Sequence, residues 1–212
     1  MTTTDDAAVQ PTAVQPAATR PRPRVSGDRE QEILDAAVEV LREVGYDKLT
    51  IDTVAARARA SKATLYRRWT TKAELVADAM SHLDGGAPAV PDTGTLRGDL
   101  LALTDDKCGI LDAGQMDLVC GLSTAMYRDQ ALGAALRDRF LEPRRQTVLT
   151  MLERARDRGE IAADVDLELI GQLVPAVVMF RLSFGAPDEP FAALVERIVD
   201  QVVLPAVRGA RG

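Results

Sequence analysis

Seven basic side chains fall within residues 45–72: Lys48, Arg57, Arg59, Lys62, Arg67, Arg68 and Lys72, opposed only by Asp47 and Asp52. Just upstream, Arg20, Arg22 and Arg24 alternate with Pro21 and Pro23. A local cluster of this kind attracts phosphate whatever the sign of the whole chain. The whole chain, with 26 basic and 32 acidic residues, is net −6, and most of the acidity lies beyond residue 85. A solvated helix face would account for the same charges, so residue types and spacing must decide. Other chemistries are poorly supplied. The 212 residues contain one His and two Cys, too few for a His/Cys zinc site. His82 has no partner pattern for acid–base work, and no cofactor motif is present. The expectation is no enzyme, no catalytic residue, no metal and no cofactor.

The elements that must position the cluster are helices. Aromatic residues are only 4% of the chain, while apolar positions recur at helical spacing and no β-alternation is sustained. Asp28 is the expected N-cap of a helix carrying Ile33, Ala37, Val40, Leu41 and Val44, stopped by a left-handed Gly45. Thr50 caps a short helix with Ile51, Val54, Ala55 and Ala58 on one face. Ser61 caps another, with Leu65 and Trp69 inward. Thr71 and Glu74 have capping-box spacing before Leu75, Val76, Ala79 and Met80.

The Gly- and Pro-rich stretch 85–94 breaks this pattern. Beyond it, helices are expected over 96–111, 115–127, 130–158, 166–184 and 189–207. Pro143 either kinks or splits the third of these. The chain therefore divides into an arm of irregular composition (1–27), a helical unit (28–84), a linker (85–94) and a second helical unit (95–208), an all-α architecture. Residues 1–27 lack the apolar core of a signal peptide, and no apolar run reaches membrane-spanning length. A cytoplasmic protein with no membrane partner is expected.

Two short helices joined by a tight turn, over residues 50–69, have the geometry of a helix-turn-helix. With Leu65 and Trp69 inward, the outward face carries Ala63, Tyr66 and Arg67, flanked by Lys62 and Thr64. The small Ala63 permits close approach to base edges, hydroxyls suit phosphates, and Lys62, Arg67 and Arg68 supply long donors.

The run Gly45-Tyr46-Asp47-Lys48-Leu49-Thr50, then Val54-Ala55 and Ala58, then Ser61 through Leu75 resembles the DNA-binding domain of the TetR family of bacterial repressors. The likeness is close over 28–83 and loose beyond. Where the family usually carries Gly in the turn this chain has Arg59, a side chain at a position that favours φ > 0. By resemblance Thr50, Tyr66 and Lys72 anchor phosphates, and Lys62, Ala63 and Arg67 stand nearest the bases. The arm of Arg20, Arg22 and Arg24 would reach an adjacent minor groove or simply solubilise the terminus.

The resemblance also implies a second domain that dimerises and holds a small-molecule effector. The last two helices, 166–184 and 189–207, are the expected homodimer face, and the final one, apolar over a wide arc, places Leu194, Val195, Ile198, Val199 and Val202 there. Met116, Cys120, Met126, Phe140, Met151, Phe180 and Phe184 are candidate pocket residues, although the same types at helical spacing also build ordinary cores. Cys108 and Cys120 are expected as free thiols. The function implied is a dimeric repressor that leaves a double-stranded operator when a small molecule binds. An activator, a thiol-based sensor and a helical protein-interaction module with an incidental basic face remain alternatives.

Overall fold

The computed structural model describes residues 26–83, 85, 89–103, 113–184 and 189–208; Arg20, Arg22, Arg24 and Cys108 lie outside them. All regular structure among the described residues is helical. Helix α1 (Ser26–Lys48) begins two residues before the expected cap, so Asp28 lies in its first turn, where a carboxylate favours the helix dipole. Gly45 interrupts it at φ 74° and ψ 170°, conformational space that a Cβ would strain, and the chain then makes one further turn. Helices α2 (Ile51–Arg57) and α3 (Lys62–Arg68) start at the expected caps, the Thr53 amide donating to the Thr50 hydroxyl and the Thr64 amide to the Ser61 hydroxyl. Helix α4 (Lys72–Leu83) follows. Its capping carboxylate, Glu74, accepts from the Thr70 amide and hydroxyl, both at 2.9 Å, and is held below the usual carboxylate range by those bonds.

The remaining helices are α5 (Leu96–Ala102), α6 (Ala113–Arg128), α7 (Gln130–Leu136), α8 (Glu142–Asp157), α9 (Leu167–Phe184), α10 (Phe191–Ile198) and α11 (Leu204–Val207). Pro143 neither splits nor sharply ends its helix. A π-turn, Arg137–Leu141, joins α7 to α8 without interruption. A second π-turn, Val199–Val203, joins α10 to α11 just ahead of Pro205. Both cases have one cause. A proline lacks the N–H that residue i−4 would receive and its ring crowds that carbonyl, and Arg139 and Gln201 each occupy that place inside the widened turn.

Two apolar cores hold the chain. In the first, Ile33, Ala37, Leu41 and Leu49 of α1 and the following loop meet Val54, Leu65, Trp69, Leu75 and Val76, all nearly inaccessible to water. Leu118, Leu122, Leu132 and Leu136 of α6 and α7 complete that same core. The second core gathers α5, α8, α9, α10 and α11 around Leu96, Met151, Leu152, Val195 and Val199. The cores thus place α6 and α7 with the N-terminal unit, although both follow the linker in sequence. Asp99, with no solvent exposure, ties α5 down: it accepts from the Thr93 amide (2.6 Å) and hydroxyl (2.8 Å) and pairs with Arg158 at 3.1 Å.

Most of the expected dimer residues are covered within one protomer. Leu194, Val195, Ile198 and Val199 are at most 4% exposed within a single chain, and only Val202, at 42%, faces outward. The apolar arc of the last helix packs on α5 and α9 of its own protomer, in one core with α8.

Candidate nucleic-acid interface

Helices α2 and α3 are braced from within and open on one side. Val54, Ala55, Leu65 and Trp69 are buried, whereas Lys62, Ala63, Tyr66, Arg67 and Arg68 are exposed. The turn between them contains Arg59 at φ 50°, the one left-handed non-glycine among the described residues. Its carbonyl accepts from the Arg29 guanidinium at 2.7 Å. That bond is to backbone, so Arg59→Gly keeps it while removing the Cβ clash. The substitution is expected to stabilise the fold by about 0.5–1 kcal/mol, read as an upward shift of the denaturant midpoint.

The proposed contact residues differ in how free they are. Arg67 is exposed and pairs with no carboxylate among the described residues, and Tyr66 is half exposed. Lys62 is held by Asp52 and Arg68 by Glu30 at 2.8 Å, but both pairs are exposed. Exposed pairs are worth about 0–1 kcal/mol, so a phosphate can displace either carboxylate. The Thr64 hydroxyl lies 2.7 Å from that of Ser61 and is partly occupied by the cap. Thr50 is exposed, its oxygen taken by the Thr53 amide at 3.1 Å. Lys72 is directed inward. Its ammonium donates to the Tyr46 carbonyl at 3.1 Å and sits 4.2 Å above the Tyr46 ring, closing the C-terminal end of α1. Arg57, counted in the basic cluster, is bound by Glu39 and Glu43 of α1.

Two polar links join this head to the helices behind it. Asp78 accepts from the Trp69 indole at 2.8 Å and pairs with Arg139 of the π-turn at 2.9 Å. The Tyr46 hydroxyl donates to Asp129 at 2.6 Å. Burial and then this bond push the Tyr46 phenol well above its ordinary pKa, and the same bond holds Asp129 below the usual carboxylate range. Neither link was legible in the sequence, since the partners lie 61 and 83 residues apart. Tyr46→Phe is expected to cost about 1.5 kcal/mol at neutral pH. Because the folded Asp129 pKa is depressed, its contribution is complete above about pH 4 and is lost as pH falls through the folded value. Denaturant midpoints of the two proteins should therefore converge in acid.

The candidate pocket residues do not converge. Met151 is fully buried in the second core, Met126 and Phe140 pack on the first, and Phe180 and Phe184 are 65% and 80% exposed. Cys120 is a free, half-buried thiol 4.0 Å from the Ser183 hydroxyl. The side chain of Met116, like Cys108, lies outside the described parts. Phe140 instead supports the Arg144 guanidinium, 3.9 Å above its ring, whose burial lowers the arginine pKa to about 10.

The described helices and their exposed basic face define a helix-turn-helix DNA-binding protein. Residues 33–79 match the family model described as bacterial regulatory proteins, tetR family, and residues 90–202 that of the tetracyclin repressor-like C-terminal domain. The chain belongs to the TetR family of transcriptional regulators, which are not enzymes. It is 38% identical over 202 residues to an uncharacterised HTH-type transcriptional regulator of Mycobacterium tuberculosis, covering 94% of this chain and 98% of that one. It is 39% identical over 185 residues to the DNA-binding transcriptional repressor TetR of Mycobacteroides abscessus, covering 86% and 96%. A crystal structure of the TetR family transcription regulator SCO0332 superposes with a TM-score of 0.64 at 32% identity, covering 82% of this chain and 98% of that one. No described helix is long and apolar enough to cross a membrane.

Proposed function

We propose that the protein is a cytoplasmic, homodimeric repressor whose α3 reads an operator and which releases it when a small molecule binds the C-terminal helices. The observation that carries the reading is the outward face of α3, where Ala63, Tyr66 and the unpaired Arg67 stand exposed between two weakly held cations. Thr50, Lys62, Thr64 and Arg68 supply the flanking contacts, while Lys72 acts by fixing α4 against Tyr46. The repressor role accords with the printed name of the M. abscessus relative.

The dimer face is assigned to α9 rather than to the buried stripe of α10. Leu169 is 58% exposed, and Phe180 and Phe184 pack as a tilted pair with ring centroids 5.2 Å apart on the same side of the helix. An apolar stripe of this length on a lone protomer marks a protein contact. Pairing α9 with its twin would also set the spacing of the two heads, which DNA accepts only near one helical turn or a multiple. Effector binding needs only to prefer one spacing over another to shift the DNA affinity. Sedimentation of the full chain tests the arrangement: Phe180→Asp with Phe184→Asp should yield a folded monomer, and a persisting dimer would contradict it.

A further inference from the structure

A cleft of about 550 Å³ opens between the C-terminal part of α1 and α6, where the head meets the helices behind it. Its size is that of a small-ligand site. Leu41, Val44, Leu118 and Leu122 form an apolar floor, and Arg42, Lys48 and Arg128 stand at its walls with Asp47 as the lining acid. Elsewhere the arginines are largely engaged: Arg57, Arg68, Arg97, Arg139, Arg145 and Arg158 each hold a carboxylate. The side chains of Arg42, Lys48 and Arg128 have no ion pair among the described residues. In a chain of net charge −6, three unpaired cations around one apolar cleft are conspicuous. Helix C-termini give Lys48 and Arg128 an ordinary electrostatic reason to be there. Arg42, in the last regular turn before Gly45 interrupts α1, shares that reason, so what singles the three out is that they line one apolar cleft.

A second feature points to the same place. Gly121 sits within α6 and lines the cleft, and a Cβ built on it meets nothing within 4 Å. A glycine inside a helix costs about 1 kcal/mol against alanine, and here no neighbour requires it. Its consequence is an open wall.

We propose that this cleft is a binding site for a small amphipathic anion, with an apolar chain lying on Leu41, Leu118 and Leu122 and an acidic head between Arg42 and Arg128. Its occupancy can be read without DNA, so the test stands apart from the proposed operator binding. Because α1 and α6 each supply one wall, a bound molecule bridges the head to the helix behind it.

Calorimetric titration of the full chain with sodium decanoate, kept below its micelle concentration, tests this, with 1-decanol as the uncharged control. Saturable binding of one decanoate per chain is expected, with decanol weaker by roughly tenfold or more. Arg42→Gln combined with Arg128→Gln should weaken decanoate by roughly tenfold or more, and Gly121→Phe should block the cleft, with melting curves confirming that both variants fold. Absence of binding by the parent protein overturns the proposal, as does equal affinity for decanol or unchanged affinity in both variants. An arginine variant that loses DNA affinity in a protein that never bound decanoate would make these cations phosphate contacts, which also overturns it.

Discussion

Trp69→Ala is expected to destabilise the protein by about 3–5 kcal/mol and to abolish DNA retardation with it. Trp69 is 1% exposed and is the largest fully buried side chain of the fold. It terminates α3, so the cavity left by its removal lies directly under the helix that carries Tyr66 and Arg67. The indole also donates to Asp78, which would keep only Arg139 as its partner. A loss of this size is a large share of a typical net stability of about 5–15 kcal/mol. Trp69→Phe separates the two effects. It retains most of the volume and should cost about 1.5–3 kcal/mol, chiefly through the lost bond to the carboxylate. Urea unfolding followed by circular dichroism gives both values.

Arg67→Ala should leave stability within about 0.5 kcal/mol of the parent, because the side chain is exposed and unpaired. Its DNA affinity should fall by about 1–3 kcal/mol, roughly 5- to 150-fold. The neighbouring cations should matter less. Lys62 must first leave Asp52 and Arg68 must leave Glu30, so part of each phosphate contact is offset by a broken surface pair. Asp52→Ala, which frees Lys62 and removes a negative charge beside the groove, is accordingly expected to raise DNA affinity slightly. Fluorescence anisotropy of a labelled operator measures both variants, and the comparison is meaningful only at fixed salt.

Much of the head was readable from local chemistry. Thr50 and Ser61 cap α2 and α3 where short hydroxyl side chains precede the first buried residue, and Arg59 takes the left-handed conformation expected at its position in the turn. The caps are decided within four residues, which is why spacing reveals them, whereas the conformation of Arg59 was implied by the glycine the family carries there. Side-chain direction across the fold is a different matter. Lys72 looked free in sequence but turns to the carbonyl of Tyr46, 26 residues away. The final helix shows a broad apolar arc whichever molecule covers it, and only the packing of α5 and α9 shows that its own protomer does. Helix α9 was expected at the dimer face with the final helix, but being apolar nearly all round it did not show that Phe180 and Phe184 would be the residues left outside. Its Met and Phe residues could not be sorted into cavity and core, since helical spacing is common to both.

The two prolines illustrate how far a local rule reaches. Pro143 demanded relief of residue 139, but whether by a break, a bend or a widened turn depended on what α7 and α8 pack against. The π-turn keeps Arg139 within reach of Asp78, so the same local adjustment also carries a link to the reading head. Asp78 thereby joins α3, α4 and the helices behind them through a single carboxylate.

A mobility-shift titration on the DNA flanking the protein's own gene, at two salt concentrations and with random duplex as competitor, tests the assignment of α3 as the reading element. The parent should give specific retardation that weakens steeply with salt, and Tyr66→Ala with Arg67→Ala should reduce it to the level of random DNA while the melting curve stays unchanged. Specific retardation that survives this double substitution would contradict the assignment and place DNA recognition on another surface of the molecule.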